Sequence, residues 1–301
     1  MSKGTRCDIE FAVVDGVKLR GWLYPTEPKA PTIILTHGFS GLKEQFLDEF
    51  GKRFQAAGFT ALIYDNRNFG SSDGSPRFEI DPFKQMDDYH DAISYAATLP
   101  EVDPNRIAIW GSSYSGGNVI QVAAIDRRVK AVIAQVPFVS GEQQSALYGN
   151  LISHVLSDRA KMLHQTDEAP TYMPIIAETL EQAERGEATT VLNQPDAYQY
   201  FTNSAERWPT WENKMTIQSL FKFIKNEPQA FIHRISPTPF LMVVAEQDTT
   251  VLTSTQLAAY QLAREPKQLH LLRGYGHFDV YSGEAFELNI TAQIDFLKKN
   301  V

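Results

Sequence analysis

The sequence predicts an α/β protein: a mostly parallel, eight-stranded sheet with helices on both faces and a helical cap inserted into it. Three observations carry this. Short apolar β runs alternate with helical stretches across residues 1–137 and again across 237–301, the rhythm of parallel strands joined by crossover helices. Residues 138–236 break that rhythm, with apolar residues at helical spacing, punctuating prolines and no clear strand. Within the first block, residues 106–117 read as a buried strand, a tight turn of small residues and then a helix.

Residues 8–25 alternate as a hairpin, with Phe11 and Val13 before an Asp15-Gly16 turn and Val17, Leu19, Trp22 and Tyr24 after it. A short β run at 32–36 ends in His37-Gly38-Phe39-Ser40-Gly41. The next helix carries Phe46, Phe50 and Phe54 on one stripe and stops at Gly58. Another β run at 59–64 is closed by Asp65. Asp81-Pro82 reads as the N-cap and first residue of a helix through Met86, Tyr89, Ile93 and Ala97. A strand at 107–110, a helix at about 114–125 and a strand at 129–136 follow. Past the cap, the reading is a strand at 239–245, a helix at about 252–263, a strand at 268–272 and a closing helix at about 284–298.

Ser113 stands at the apex of the turn within 106–117, which has the pattern of a nucleophile elbow. Gly111 before it and small residues after it are needed because the strained bend presses backbone on backbone while lifting one hydroxyl out of the sheet edge. The string is G-x-S-x-S-G, with Ser115 in fifth place, then Gly116 and Gly117. Ser112 and Ser115 flank the candidate, and the apolar run Ile107, Ala108, Ile109, Trp110 sets the register that favours Ser113. A phosphate loop would need lysine where Gly117 stands, and G-x-G-x-x-G does not occur at the turn, so nucleotide-binding readings drop out.

A serine hydroxyl is a weak nucleophile at neutral pH and needs a general base, which in turn needs an acceptor to fix its tautomer. Asp248 leaves the apolar run 240–244, and His277 lies just past the strand at 268–272, so the chain order is Ser, Asp, His. Asp248 also reads as an ordinary turn or N-cap residue, with Glu246 and Asp279 as rival acids. Of seven histidines, only His37 and His277 fall on loops at the expected C-terminal edge of the sheet, where open α/β sheets place their sites. The backbone N–H groups of Phe39 and Tyr114 are the candidate oxyanion donors, one from the turn after an early strand and one from a helix N-terminus. His37 reads as a positioning residue, and the loop Asp65-x-Arg67 with Gly70-Ser71-Ser72-Asp73-Gly74 as a hydrogen-bonded prop.

The chain has 301 residues, 43% apolar and 21% charged, which suits a soluble globular protein with a sizeable core. Its net charge of −8 disfavours nucleic acid and anionic membranes as partners. The sequence shows no apolar leader and no apolar run near membrane-spanning length, and the single Cys7 cannot pair within the chain. A cytoplasmic setting is expected. With no H-E-x-x-H and no paired-cysteine spacing, neither metal nor cofactor is expected. The expected partner is a small apolar substrate, and a homodimer through the cap or terminal helix is compatible with this reading.

These motifs carry a resemblance. From end to end the chain resembles the α/β-hydrolase fold superfamily, and most of all its branch of dienelactone-hydrolase-like and X-Pro dipeptidyl-peptidase-like serine hydrolases. The string Gly111-x-Ser113-Tyr114-x-Gly116 is similar to the elbow of the latter and of cocaine-esterase-type proteins. Gly21-Trp22-Leu23-Tyr24-Pro25, His37-Gly38-Phe39 and Asp65-x-Arg67 look like small hydrolases and acyltransferases of polyketide pathways.

The leading expectation is a serine hydrolase that cleaves an ester or thioester of an apolar acyl or ring-containing substrate through an acyl-enzyme on Ser113. Among the aromatic residues of the cap, Trp208, Trp211 and Phe221 are candidate substrate contacts. An acyltransferase using the same acyl-enzyme is the second expectation. The third comes from another class: a ligand-binding protein on a hydrolase scaffold, with a triad that is present and unused. Acyl transfer to an added acceptor would favour the second, and a ligand returned unchanged the third.

Overall fold

Every central strand is apolar at both parities because the sheet is covered on both faces. A computed structural model describes residues 4–145, 149–164, 169–187, 190–203, 208 and 210–301. The chain runs through β1 (Cys7–Ala12), β2 (Lys18–Tyr24), β3 (Ala30–Thr36), α1 (Leu47–Ala56) and β4 (Thr60–Tyr64). There follow α2 (Pro82–Ala96), β5 (Val102–Ser112), α3 (Tyr114–Ile125) and β6 (Val129–Gln135). An inserted stretch holds α4 (Gly141–Ser145), α5 (Gly149–Met162), β7 (Tyr172–Met173), α6 (Leu180–Arg185), α7 (Pro195–Thr202), β8 (Met215–Thr216) and α8 (Ile217–Phe223). The chain then closes with β9 (Phe240–Ala245), α9 (Thr253–Leu262), β10 (Lys267–Leu272) and α10 (Gly283–Asn300).

The main sheet has eight strands in the order β1-β2-β4-β3-β5-β6-β9-β10. The β1–β2 and β2–β4 pairs are antiparallel and the other five are parallel. Alternate residues of each strand serve opposite faces. Leu35, Ile63, Trp110, Ile133 and Val243 pack with Phe50 and Phe54 of α1 and Phe286 and Ile290 of α10. Ile34, Leu62, Ile109, Val132 and Val244 pack with Tyr89 and Ile93 of α2, Val119 and Val122 of α3, and Ala259 of α9. The α2 start follows its sequence signal: Pro82 opens the helix, and the Asp81 carboxylate accepts from the Phe83 and Lys84 N–H groups.

Two expectations change. Phe46 is the N-cap of α1 rather than a residue of the helix, with φ +69, and its ring packs on the same core as Phe50 and Phe54, meeting Tyr200, Trp208 and Tyr281. The inserted stretch does contain strand: β7 and β8 pair antiparallel, and Ile176 bridges Leu192 in parallel. Two-residue strands are too short to leave an alternation in the sequence. Both ends of the stretch also return to the sheet, with Val139, Ile232 and Ile235 packed in the cluster beneath α3. No helix among the described residues is long and apolar enough to cross a membrane.

Candidate active site

The elbow forms where β5 passes into α3. Ser113 lies between them at φ +53 and ψ −115, a conformation that non-glycine residues rarely hold and that costs on the order of 1–3 kcal/mol. Three backbone bonds hold it there: the Ser113 N–H donates to Gln135 O and Ser113 O accepts from the Phe138 N–H, each at 2.8 Å, and Ser113 O also accepts from the Gly117 N–H at 3.3 Å. The small residues are sterically required. A Cβ on Gly111 would lie 2.1 Å from Ser115 O, and one on Gly38 would lie 2.7 Å from the Ser113 Cβ. Ser115, in the fifth place of the motif, bonds through Oγ to His37 O at 2.6 Å and takes a bond from Thr36 Oγ1 at 2.9 Å. It therefore ties the elbow helix to the loop after β3, a task a glycine could not perform.

The parallel order of β5, β6, β9 and β10 brings the loops after β9 and β10 to the elbow. His277 Nε2 is 3.0 Å from Ser113 Oγ, and His277 Nδ1 is 2.7 Å from Asp248 Oδ2. Asp248 is itself anchored. Its Oδ1 accepts from the Thr250 and Val251 N–H groups at 2.9 and 2.8 Å, and its Oδ2 accepts from Gln256 Nε2 at 2.9 Å. Glu246 and Asp279 stand elsewhere, accepting from the Gly274 and Gly276 N–H groups at 2.9 and 2.7 Å. They shape the loop that carries His277. Ser112 bonds to the Tyr281 hydroxyl and to Gln135 Nε2, so of the three neighbouring serines only Ser113 meets the imidazole.

The loop after β3 covers the opposite side. Among the described residues the N–H groups of Phe39 and Tyr114 make no hydrogen bond, which leaves two donors beside Ser113. His37 O also accepts from Asn66 Nδ2 at 3.0 Å. Asp65 accepts from the Lys43 N–H and Nζ and from Ser71, and Arg67 pairs with buried Asp88 and with Asp15. The segment 65–74 thus braces the 37–43 loop.

His37 is buried, and burial pushes its pKa from the ordinary 6.5 down to about 3. Between those values the unfolded chain binds a proton that the folded chain refuses. The stability this contributes is full above about pH 6.5 and drains as pH falls toward 3. Urea unfolding at pH 7 and pH 5 should show wild type losing more stability than His37→Gln, by about 1 kcal/mol per pH unit. Equal losses would contradict the assignment.

Two small recesses open at Ser113, each of about 20 Å³. One includes His277, His37, Tyr200, Phe201, Phe278 and Tyr281. The other is walled by Phe39, Tyr114, Phe138, Leu192, Phe223 and Val251. Trp208, Trp211 and Phe221 line neither. Trp208 packs between Phe46 and Tyr200, Trp211 stacks on Phe201 at 4.6 Å, and Phe221 lies under Arg159 and Lys225. A larger cleft of about 350 Å³ between Pro76, Glu79 and α5 has neither serine nor histidine among the described residues that line it, so size alone does not locate the chemistry.

Comparison with known proteins agrees with this architecture. A thiohydrolase of Eupenicillium brefeldianum is 33% identical over 97% of this chain and 94% of its own. The polyketide transferase grgF of a Penicillium species is 34% identical over 98% and 97%. The crystal structure of the α/β hydrolase GrgF from Penicillium sp. sh18 superposes with a TM-score of 0.84 at 32% identity, covering 99% of each chain. The structure of DcsB in complex with its substrate analogue does so at 0.87 and 32%, again over 99% of each. The fold is the α/β-hydrolase fold. The family model described as X-Pro dipeptidyl-peptidase (S15 family) matches residues 15–278, and the chain belongs to that family.

Proposed function

We propose that the protein is a serine hydrolase that cleaves an ester or thioester of an apolar acyl or ring-containing substrate through an acyl-enzyme on Ser113. The observation that carries this is the bonded series Ser113 Oγ, His277, Asp248, at 3.0 and 2.7 Å, on a strained elbow beside two N–H groups that are unpaired among the described residues. His277 Nε2 takes the serine proton as Oγ attacks the carbonyl carbon, while Asp248 holds the Nδ1 proton and stabilises the imidazolium. The N–H groups of Phe39 and Tyr114 take up the charge on the carbonyl oxygen, each worth roughly 3 kcal/mol in the transition state. His277 then gives its proton to the departing alcohol or thiol and activates water for the second half. The middle of the inserted stretch acts as the cap: α7 and α8 bring Tyr200, Phe201 and Phe223 over the serine. The reaction needs no metal or cofactor.

Acyl transfer is the second reading, favoured by relatives named as polyketide transferases across nearly the whole chain. The two readings share every step up to the acyl-enzyme. Product analysis after p-nitrophenyl butyrate turnover, with and without an added aromatic alcohol, separates them. Free acid in both mixtures supports hydrolysis, a new ester in the second supports transfer, and no p-nitrophenol release from any acyl length would contradict both.

A further inference from the structure

The recess that holds His277 also holds a hydroxyl with a proton to give. His37 is neutral, and its Nδ1 accepts the Gly38 N–H at 2.7 Å, so its single proton is on Nε2. That proton goes to the Tyr200 hydroxyl oxygen, 2.8 Å away. Tyr200 is the acceptor in this bond, and among the described residues nothing takes its own hydrogen. The residue is buried and lines the same recess as Ser113 and His277. A buried donor aimed into a recess and left unpaired calls for an oxygen from a ligand.

The two recesses differ in a way that assigns the ligand. On the acyl-enzyme reading above, on which this inference rests, His277 must protonate the leaving heteroatom, so the leaving group lies on the His277 side. That is the recess with Tyr200, flanked by the rings of Phe201, Phe278 and Tyr281. The second recess lacks His277 and is walled by apolar and aromatic side chains, which suits the acyl chain. We infer that Tyr200, on α7, is a specificity-determining donor that reads an oxygen on the leaving group. By microscopic reversibility it reads the same oxygen on any alcohol that takes the acyl group from Ser113. The flanking rings favour a flat partner, so the substrate class is an ester of an oxygenated aromatic alcohol. Tyr200 donates a hydrogen bond and breaks no covalent bond.

The test is kcat/KM for benzyl butyrate and for its 2-, 3- and 4-hydroxybenzyl analogues, with wild type and Tyr200→Phe, alongside phosphonate labelling of Ser113 in both. Wild type should prefer one hydroxybenzyl isomer over benzyl butyrate by about tenfold. In Tyr200→Phe, kcat/KM for that isomer should fall about tenfold more than for benzyl butyrate, erasing the preference. An equal fall for all four esters, a preference that survives the substitution, or no preference in wild type would each overturn the assignment. Wild type that fails to label at Ser113 would instead overturn the acyl-enzyme reading beneath it.

Discussion

Ser113→Ala is expected to lower kcat for ester hydrolysis by roughly 10⁴ to 10⁶ and to leave the fold intact. The structure separates the two effects. The backbone bonds that hold the elbow, to Gln135 O and from the Phe138 and Gly117 N–H groups, involve no part of the Ser113 side chain. Among the described residues the hydroxyl's one side-chain partner is His277 Nε2. Thermal unfolding of the variant should therefore match wild type to within about 1 kcal/mol, in the range of a substitution that removes no packing. Residual turnover near the wild-type rate in a folded variant would place the nucleophile elsewhere.

Asp248→Asn is expected to cost about 10⁴ in kcat, for a reason legible in its bonds. Asp248 Oδ1 accepts two backbone N–H groups, from Thr250 and Val251. The asparagine oxygen must stay at that position, which puts the amide NH₂ where Oδ2 stood, facing His277 Nδ1 and Gln256 Nε2. An NH₂ donating to Nδ1 forces the imidazole proton onto Nε2, and His277 then offers Ser113 a proton instead of taking one. Gln256 Nε2 also loses one acceptor and keeps its bond to Val251 O. Single-turnover acylation with p-nitrophenyl butyrate should slow by the full factor, while substrate binding changes little. A loss confined to KM would contradict the tautomer argument.

Much of this was legible in the sequence because it rests on local constraints. The elbow needs glycine at 111 whatever surrounds it, and the position of Asp248 and His277 after consecutive late strands follows from parallel topology alone. The element order of the sheet was readable for the same reason, to within a residue or two at most ends. What could not be read depends on distant segments meeting. His37, Tyr200 and the pair Phe278 and Tyr281 come from three separate stretches, and nothing in their spacing announces one recess. Tyr200 and Phe201 were visible only as part of the aromatic density in the inserted stretch. Trp208 and Trp211, candidates among the same aromatic residues, pack against Tyr200 and Phe201 and line neither recess. Ser115 looked like a departure from the five-residue elbow pattern. Its partners, His37 O and Thr36, lie some eighty residues away in sequence and gave no local signal.

The most direct test of the central claim is to quench wild type with acid during turnover of a slow ester such as p-nitrophenyl butyrate, and to map the adduct by peptide mass spectrometry. The account requires a butyryl group on the peptide containing Ser113, localised to that residue by fragmentation, and its disappearance when the substrate is exhausted. A butyryl group on another side chain, or sustained turnover with no adduct in either the burst or the steady state, would contradict it.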